Sequence, residues 1–248
     1  MVLANNAKTL REIQVNIIGD DGVFNNVHQV SLSTLAHILK TNQLQMKQLY
    51  RVPFERNSER VKQLRHAYVE RVLQTDAEEI PHEFIYIDEA GFNLTKSRRR
   101  GRNITGHRAI INVPGQRGGN ITLCAAITQN GVLLRHASMG PYNTAHILTF
   151  LDQLHNILTV NQIQQMQYIV IWDKVSFHRS AQVHNWFQHN PQFSVLYLPP
   201  YSPFLNPIEQ FFSAWRWKVY DLQPQAQVPL TEAMEEACDQ TDAIAIQG

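Results

Sequence analysis

The sequence predicts an α/β protein built on a mixed sheet, with a small all-α module ahead of it. Three observations predict this. From Pro81 onward the chain breaks into short apolar runs of strand length, two of them joined by Gln129-Asn130-Gly131, and an Asn-Gly pair between such runs is the strongest short hairpin signal. Later runs alternate with amphipathic helical stretches, the order expected of parallel strands linked by helices. Before Pro81, apolar residues recur at helical intervals instead. The 248 residues suffice for one full core and a small second module.

The helical part comes first. LREIQVNIIG, from Leu10 to Gly19, carries apolar spacing suited to a helix, and SLSTLAHILKTNQ, from Ser31 to Gln43, offers a serine cap followed by Leu32, Leu35, Ile38 and Leu39. The turn-rich DDGVFNNVHQV lies between them, and a third helix is expected over Asn42–Leu49. The sum reads as a helix-turn-helix module over residues 1–50. Its recognition helix would present Ser33, His37 and Lys40, which lie off the apolar stripe, to a DNA groove. Residues 51–80 form a basic linker and helix, in which Pro53 breaks the chain and Asn57 or Ser58 caps a helix running to about Gln74. Arg60, Lys62, Arg65 and Arg71 make that helix cationic, either as a solvated face or as a DNA contact.

The sheet domain is expected over residues 81–248. EFIYID, HRAIINV, ITLCAAIT and GVLLRHASM read as strands, and NTAHILTFLDQLHNIL as a helix capped by Asn143. YIVIWD is nearly all apolar, as a strand covered on both faces must be. SAQVHNWFQ is a helix and FSVLYLP a buried strand. Asn206-Pro207 then places a cap and a first-turn proline ahead of a last helix. This order fits a ribonuclease H-like, retroviral integrase-like sheet with flanking helices better than a doubly wound one.

Composition narrows the class. With 44% hydrophobic and 17% charged residues the chain reads as an ordinary globular protein. It has neither a run of roughly 18 apolar residues for a membrane span nor a signal-peptide core, so an intracellular protein is expected. Cys124 and Cys238 show no metal-ligand spacing and are expected to be reduced and packed. The net charge of +1 hides segregation. Residues 31–74 hold eight Lys/Arg against three Glu, residues 96–108 hold six Lys/Arg and no acid, and residues 221–248 hold six acids and no Lys or Arg. Basic surfaces therefore survive near-neutrality overall. The run KSRRRGRNITGHR, with Lys96, Arg98, Arg99, Arg100, Arg102 and Arg108, favours nucleic acid over a merely solvated face, and it also fits a nuclear localisation signal.

Three acids stand where chemistry could use them. Asp88 and Asp173 each close an apolar strand, and Glu209 falls in the first turn of the helix after Asn206. Phosphodiester chemistry suits two divalent cations about 4 Å apart on oxygen ligands drawn from several rigid elements. Acids at strand ends also serve as loop starters, and Glu209 occupies a capping-box position as well. Glu89 is a further candidate that strand alternation turns the other way. His178, five residues past Asp173, could tune the site or simply pack, and Trp172, Trp215 and Trp217 are expected in the core.

These residues carry a resemblance. IDEAGFN, WDKVSFH and LPPYSPFLNPIEQFFSAWRW are similar to the three catalytic blocks of mariner-superfamily DNA transposases, which use a DDE/D triad. The 35 residues between Asp173 and Glu209 are close to the family's short second spacing. The likeness extends to the basic run, to VPGQRGGNITLCAAIT and to the linker YRVPFERN. It implies a DNA transposase that performs hydrolysis at element ends and strand transfer into target DNA, using two Mg²⁺ ions and tolerating Mn²⁺. Asp88, Asp173 and Glu209 would be the catalytic metal ligands. Arg51 and Arg56 would join the basic run on double-stranded DNA, both transposon ends and target, and the protein would act as a homodimer on DNA in the nucleus, with no membrane partner. The family usually has Asn after the second aspartate, where this chain has Lys174, so partial impairment is expected. Only one helix-turn-helix module fits ahead of Tyr50, the second of the family's two, and relatives typically extend past Gly248. The chain thus reads as a copy shortened at both ends, the alternative being a domesticated DNA-binding protein that has lost catalysis.

Overall fold

The computed structural model describes residues 5, 7–47, 49, 51–92, 107, 121–160, 166–222, 224 and 229–241. The chain divides into two compact units, Met1–Phe54 and Glu55–Gly248.

In the first unit, α1 (Leu10–Ile18) starts at a capping box in which Thr9 and Glu12 satisfy each other's amides. Helix α2 (Leu32–Thr41) is capped by Ser31, whose Oγ accepts from the Thr34 amide at 3.0 Å. Ile13 and Leu35 are the buried pair between them. Asp20 closes the intervening turn by accepting from the Gly22 and Val23 amides. The third helix expected over Asn42–Leu49 does not form: α2 stops where the Asn42 side chain bonds back to the Ile38 carbonyl, Gln43 turns to a φ of 60°, and residues 44–47 carry no helix.

The second unit opens with α3 (Glu59–Asp76), capped by Ser58. A five-stranded sheet follows in the spatial order β3-β2-β1-β4-β5. Its strands are β1 (His82–Phe92), β2 (Ile121–Thr128), β3 (Gly131–Met139), β4 (Gln167–Trp172) and β5 (Phe193–Tyr197). The first three are antiparallel and β4 and β5 run parallel to β1, so the sheet is mixed as expected. The β2–β3 hairpin turns at Gln129-Asn130, with Gly131 at a φ of 113°, a conformation that strongly favours glycine. The remaining helices are α4 (Thr144–Val160), α5 (Ala181–His189), α6 (Ile208–Asp221) and α7 (Leu230–Asp239). The expected strand HRAIINV lies outside the described residues apart from His107.

Strand alternation sorts the core. On one face Ile85 and Ile87 of β1, Cys124 and Ala126 of β2, and Val170 and Trp172 of β4 pack under α4 and α5. On the other, Ala90 and Phe92 of β1 and Leu123, Ala125 and Ile127 of β2 meet Phe211, Phe212 and Trp215 of α6 and Met234 of α7. Ile169 and Ile171 are covered on that side by Tyr68 of α3. Each fully buried aromatic or aliphatic side chain contributes about 1.5–3 kcal/mol, so the α6 aromatics anchor that helix firmly. Both cysteines are free and buried. Trp172 and Trp215 are core residues, whereas Trp217 is half exposed on the outer side of α6. Among the described residues no helix is long and apolar enough to cross a membrane.

Candidate active site

The register of two neighbouring parallel strands brings the first two acids together. Tyr86 of β1 pairs with Ile171 of β4, and Asp88 and Asp173 each lie two residues further along. Asp173 stands just past the carboxyl end of β4, where α/β sheets place their sites. Asp88 lies inside β1, which does not close at the acid as the apolar run predicts but continues to Phe92 because β2 goes on pairing with it. Asp88 points to the face that α6 covers. Glu89, its neighbour, points to the opposite face, as alternation requires, and reaches His178 and Cys124 there. Glu209, exposed, enters from the first turn of α6. A cavity of about 320 Å³ is lined by Asp88, Asp173 and Glu209 together with Lys174, Tyr201 and Asn206.

Each of the two aspartates is held by a partner. Asp88 Oδ1 accepts from the Glu89 amide at 2.8 Å, and Oδ2 accepts from Asn206 Nδ2 at 3.4 Å. Asn206 is therefore not the side-chain cap that the Asn-Pro pair predicts. Among the described residues no side chain caps α6; Pro207 takes the cap position, and the Asn206 amide is turned to Asp88. Its buried Oδ1 has no hydrogen-bond partner among the described residues. Asp173 Oδ1 accepts from His178 Nδ1 at 3.0 Å and from the Val175 amide at 3.3 Å. His178 is fully buried, stacked on Trp172 with ring centroids 4.3 Å apart, and its Nε2 lies 3.1 Å from Glu89 Oε1. The histidine thus links the acids of the two sheet faces. His178 is therefore a packed residue that also bonds both carboxylates.

The electrostatics follow from crowding. Burial, then the negative charges of Glu89, Asp173 and Glu209, push the Asp88 carboxyl up to about 7, against the pull of the Glu89 amide. Burial would raise Asp173 too, but its bond to His178 and that ring's positive charge outweigh burial and leave it below the usual range. For His178, burial disfavours the imidazolium, yet the two carboxylates win and raise it to about 9.

Among the described residues, no group of three or more His, Cys, Asp or Glu side chains stands in an arrangement that could hold a metal ion as it is. The donor set nevertheless fits a hard divalent cation: carboxylate oxygens converge on one cavity, where the negative charges of Glu89, Asp173 and Glu209 add to burial in raising Asp88.

Lys174 lines the same cavity, but its ammonium lies over the Tyr197 ring, 5.7 Å from the centroid, and it makes no ion pair with the three acids. Ser33, His37 and Lys40 are all exposed on α2, with Ser33 Oγ bonded to the Ser31 cap. Arg51 is exposed and Arg56 half-buried. Lys96, Arg98, Arg99, Arg100, Arg102 and Arg108 lie outside the described residues. Two contacts had no legible signal in the sequence. Asn206 reads as a cap, and Arg65 reads as one cation among several on α3 although its partners are Ser202 and Tyr201, across the fold.

Comparison with known proteins identifies the family and the fold. The family model of the DDE superfamily endonucleases matches residues 83–229, which include all three acids. Among curated proteins, an uncharacterized 39 kDa protein of insertion element IS630 from Shigella sonnei is 25% identical over 133 residues, or 54% of this chain. The matched stretch is 37% of that relative's length. Among solved structures, the Mos1 mariner paired end complex with Mn superposes with a TM-score of 0.63 at 18% identity, covering 96% of this chain and 73% of that one. The paired end complex with Mg gives 0.65 at 17%, covering 97% and 75%. The isolated Mos1 catalytic domain gives 0.57 at 17%, covering 79% and 89%. The fold is thus the ribonuclease H-like one of the Mos1 catalytic domain, and the family match over more than half its length establishes that the chain belongs to the DDE superfamily endonucleases.

Proposed function

We propose that this chain acts as a mariner-type DNA transposase, which cleaves DNA at element ends and joins the freed 3′-hydroxyl to target DNA. The observation that carries the reading is the convergence of Asp88, Asp173 and Glu209 on one cavity, from within β1, from the end of the adjacent β4 and from the start of α6. In this reading the three acids hold two Mg²⁺ ions, with Mn²⁺ as a substitute. When bound, such ions supply Lewis-acid stabilisation of the attacking and leaving oxygens. The chain's own residues prepare the donors: Asn206 and the Glu89 amide orient Asp88, and His178 fixes Asp173. No side-chain nucleophile is required.

Double-stranded DNA is the proposed substrate, gripped by the cations of residues 96–108 and by Arg51 and Arg56, with residues 1–50 as an end-recognition module and a homodimer as the acting form. The similarity to complexes of Mos1 with transposon ends supports this reading. The test is nicking of supercoiled plasmid in Mg²⁺ or Mn²⁺, with EDTA and the Asp173→Ala variant as controls. Metal-dependent nicking lost in the variant is the expected result. DNA binding without nicking under any metal would instead favour the second reading, a non-catalytic DNA-binding derivative, for which the presence of Lys174 in the cavity is the motivating observation.

A further inference from the structure

We propose that Arg65 is a positioning residue for the cavity, a clasp that holds the proline-rich turn delivering Asn206 and Glu209. Arg65 sits half-buried on α3, more than a hundred residues from the turn in sequence. Its Nε donates to Ser202 Oγ at 2.7 Å, and its Nη2 donates to the Tyr201 carbonyl at 3.2 Å and to the Arg56 carbonyl at 2.8 Å. The guanidinium also lies under the Phe204 ring, 5.4 Å from its centroid. Ser202 is itself buried and passes the bond on, donating to the Pro200 carbonyl at 3.0 Å.

The turn needs such a clasp. Tyr201 adopts a φ of 56°, which a bulky non-glycine residue holds only where its surroundings over-determine it. Tyr201 is 42% exposed, so packing constrains it only in part, and the Arg65 bond to its carbonyl adds a second hold. Immediately beyond it, Ser202 accepts from the Leu205 amide and Pro203 from the Asn206 amide, and then α6 begins. A shift of Tyr201 is therefore passed directly to Asn206 and Glu209. Of the four cations on α3, Arg60, Lys62 and Arg71 are exposed while Arg65 is engaged inward, so its fork geometry rather than its charge is what the site uses.

Full-length Arg65→Ala and Arg65→Lys proteins distinguish the roles. Lysine keeps the charge a phosphate would need but cannot reproduce the fork. A clasp predicts that both variants lose kcat for metal-dependent plasmid nicking by roughly 10–100-fold, as a misplacement of about an ångström does, while KM for DNA and its salt dependence stay put. It also predicts at least tenfold faster hydrogen exchange at the Leu205 and Asn206 amides, with Ile169–Ile171 of β4 unchanged. The kcat arm rests on the proposed function, whereas the exchange arm decides the clasp even if the wild-type chain does not cut DNA. A normal kcat in Arg65→Lys with a raised KM in Arg65→Ala would make Arg65 a DNA contact. Unchanged exchange in the turn, or equal loss of protection in β4, would likewise overturn the proposal.

Discussion

At the scale of single residues, the arrangement is a crowd of acids kept in order by neutral and cationic partners, and this fixes the pH behaviour. Asp88 titrates near 7 in the fold against 3.8 when unperturbed. Its folded value is raised, so its protonated form is favoured on folding. The contribution is full below about 4 and is lost as pH rises through about 7. Without divalent metal, the wild-type protein should therefore lose stability relative to Asp88→Asn between pH 4 and 8, by on the order of a few kcal/mol at one pKa unit per 1.36 kcal/mol. Urea midpoints in EDTA at several pH values check this, and parallel curves for the two proteins would refute it. His178 also carries a raised value, about 9 against 6.5, so its contribution is present below 6.5 and disappears as pH rises through 9. His178→Gln should flatten that upper limb and cost about 3–5 kcal/mol near neutrality, because it leaves the largely buried Glu89 and the half-buried Asp173 without the cation they share. Denaturation at pH 6 and 9.5 reads both effects. Lys174, parked on Tyr197, is a weaker influence than its place in the motif implies. An exposed charge of this kind is worth about 0.2–1 kcal/mol, so Lys174→Asn should lower the Mg²⁺ concentration for half-maximal nicking by roughly 1.5–5-fold and leave the saturated rate alone. A large change in the saturated rate would contradict that placement.

At the scale of elements, what local rules determine was legible and what distant contacts determine was not. The hairpin turning at Gln129-Asn130 before Gly131 and the buried strand that leads into Asp173 follow from turn chemistry and apolar runs. So does the separation of Asp88 from Glu89, since a period of two leaves no choice of face. The Asn206 side chain was misread because an Asn before Pro is locally an ideal cap, and the fold instead uses it on a carboxylate 118 residues away. The third helix of the first unit fails at Gln43, whose positive φ no periodicity announces. Helix α7 shows how a surface element completes the core under the site. Arg135 of β3 bonds Glu235 and Asp239, each at 2.6 Å, and Trp215 Nε1 donates to the Met234 carbonyl. Met234 is buried against the α6 cluster. Met234→Ala should thus cost about 2–5 kcal/mol as a core truncation, against under about 1 kcal/mol for Glu235→Ala in its half-exposed pair. Urea unfolding of the two variants tests the ranking, which reverses if α7 is held by charge rather than packing.

At the scale of the whole molecule, the near-zero net charge is the least informative number and its distribution the most informative. The acids of the cavity and those of α7 are placed by the fold, while six cations of residues 96–108 are set apart in sequence from any acid. A cavity of negative charge repels a phosphodiester unless cations bring the backbone to it, so a DDE endonuclease needs strong basic contacts elsewhere on its surface. If residues 96–108 supply them, the effect must appear as counterion release. Each phosphate neutralised contributes about −0.9 to the slope of log K against log salt concentration. Replacing Arg98, Arg99 and Arg100 together by Ala should then make the slope for duplex binding shallower by up to roughly 2.7 and weaken binding similarly for all sequences, with the largest losses at low salt. Fluorescence anisotropy on two unrelated duplexes across a salt series measures this directly. An unchanged slope would place the phosphate contacts elsewhere, on Arg51 and Arg56 or on α2, and the same titration on Arg51→Ala/Arg56→Ala would then show the loss.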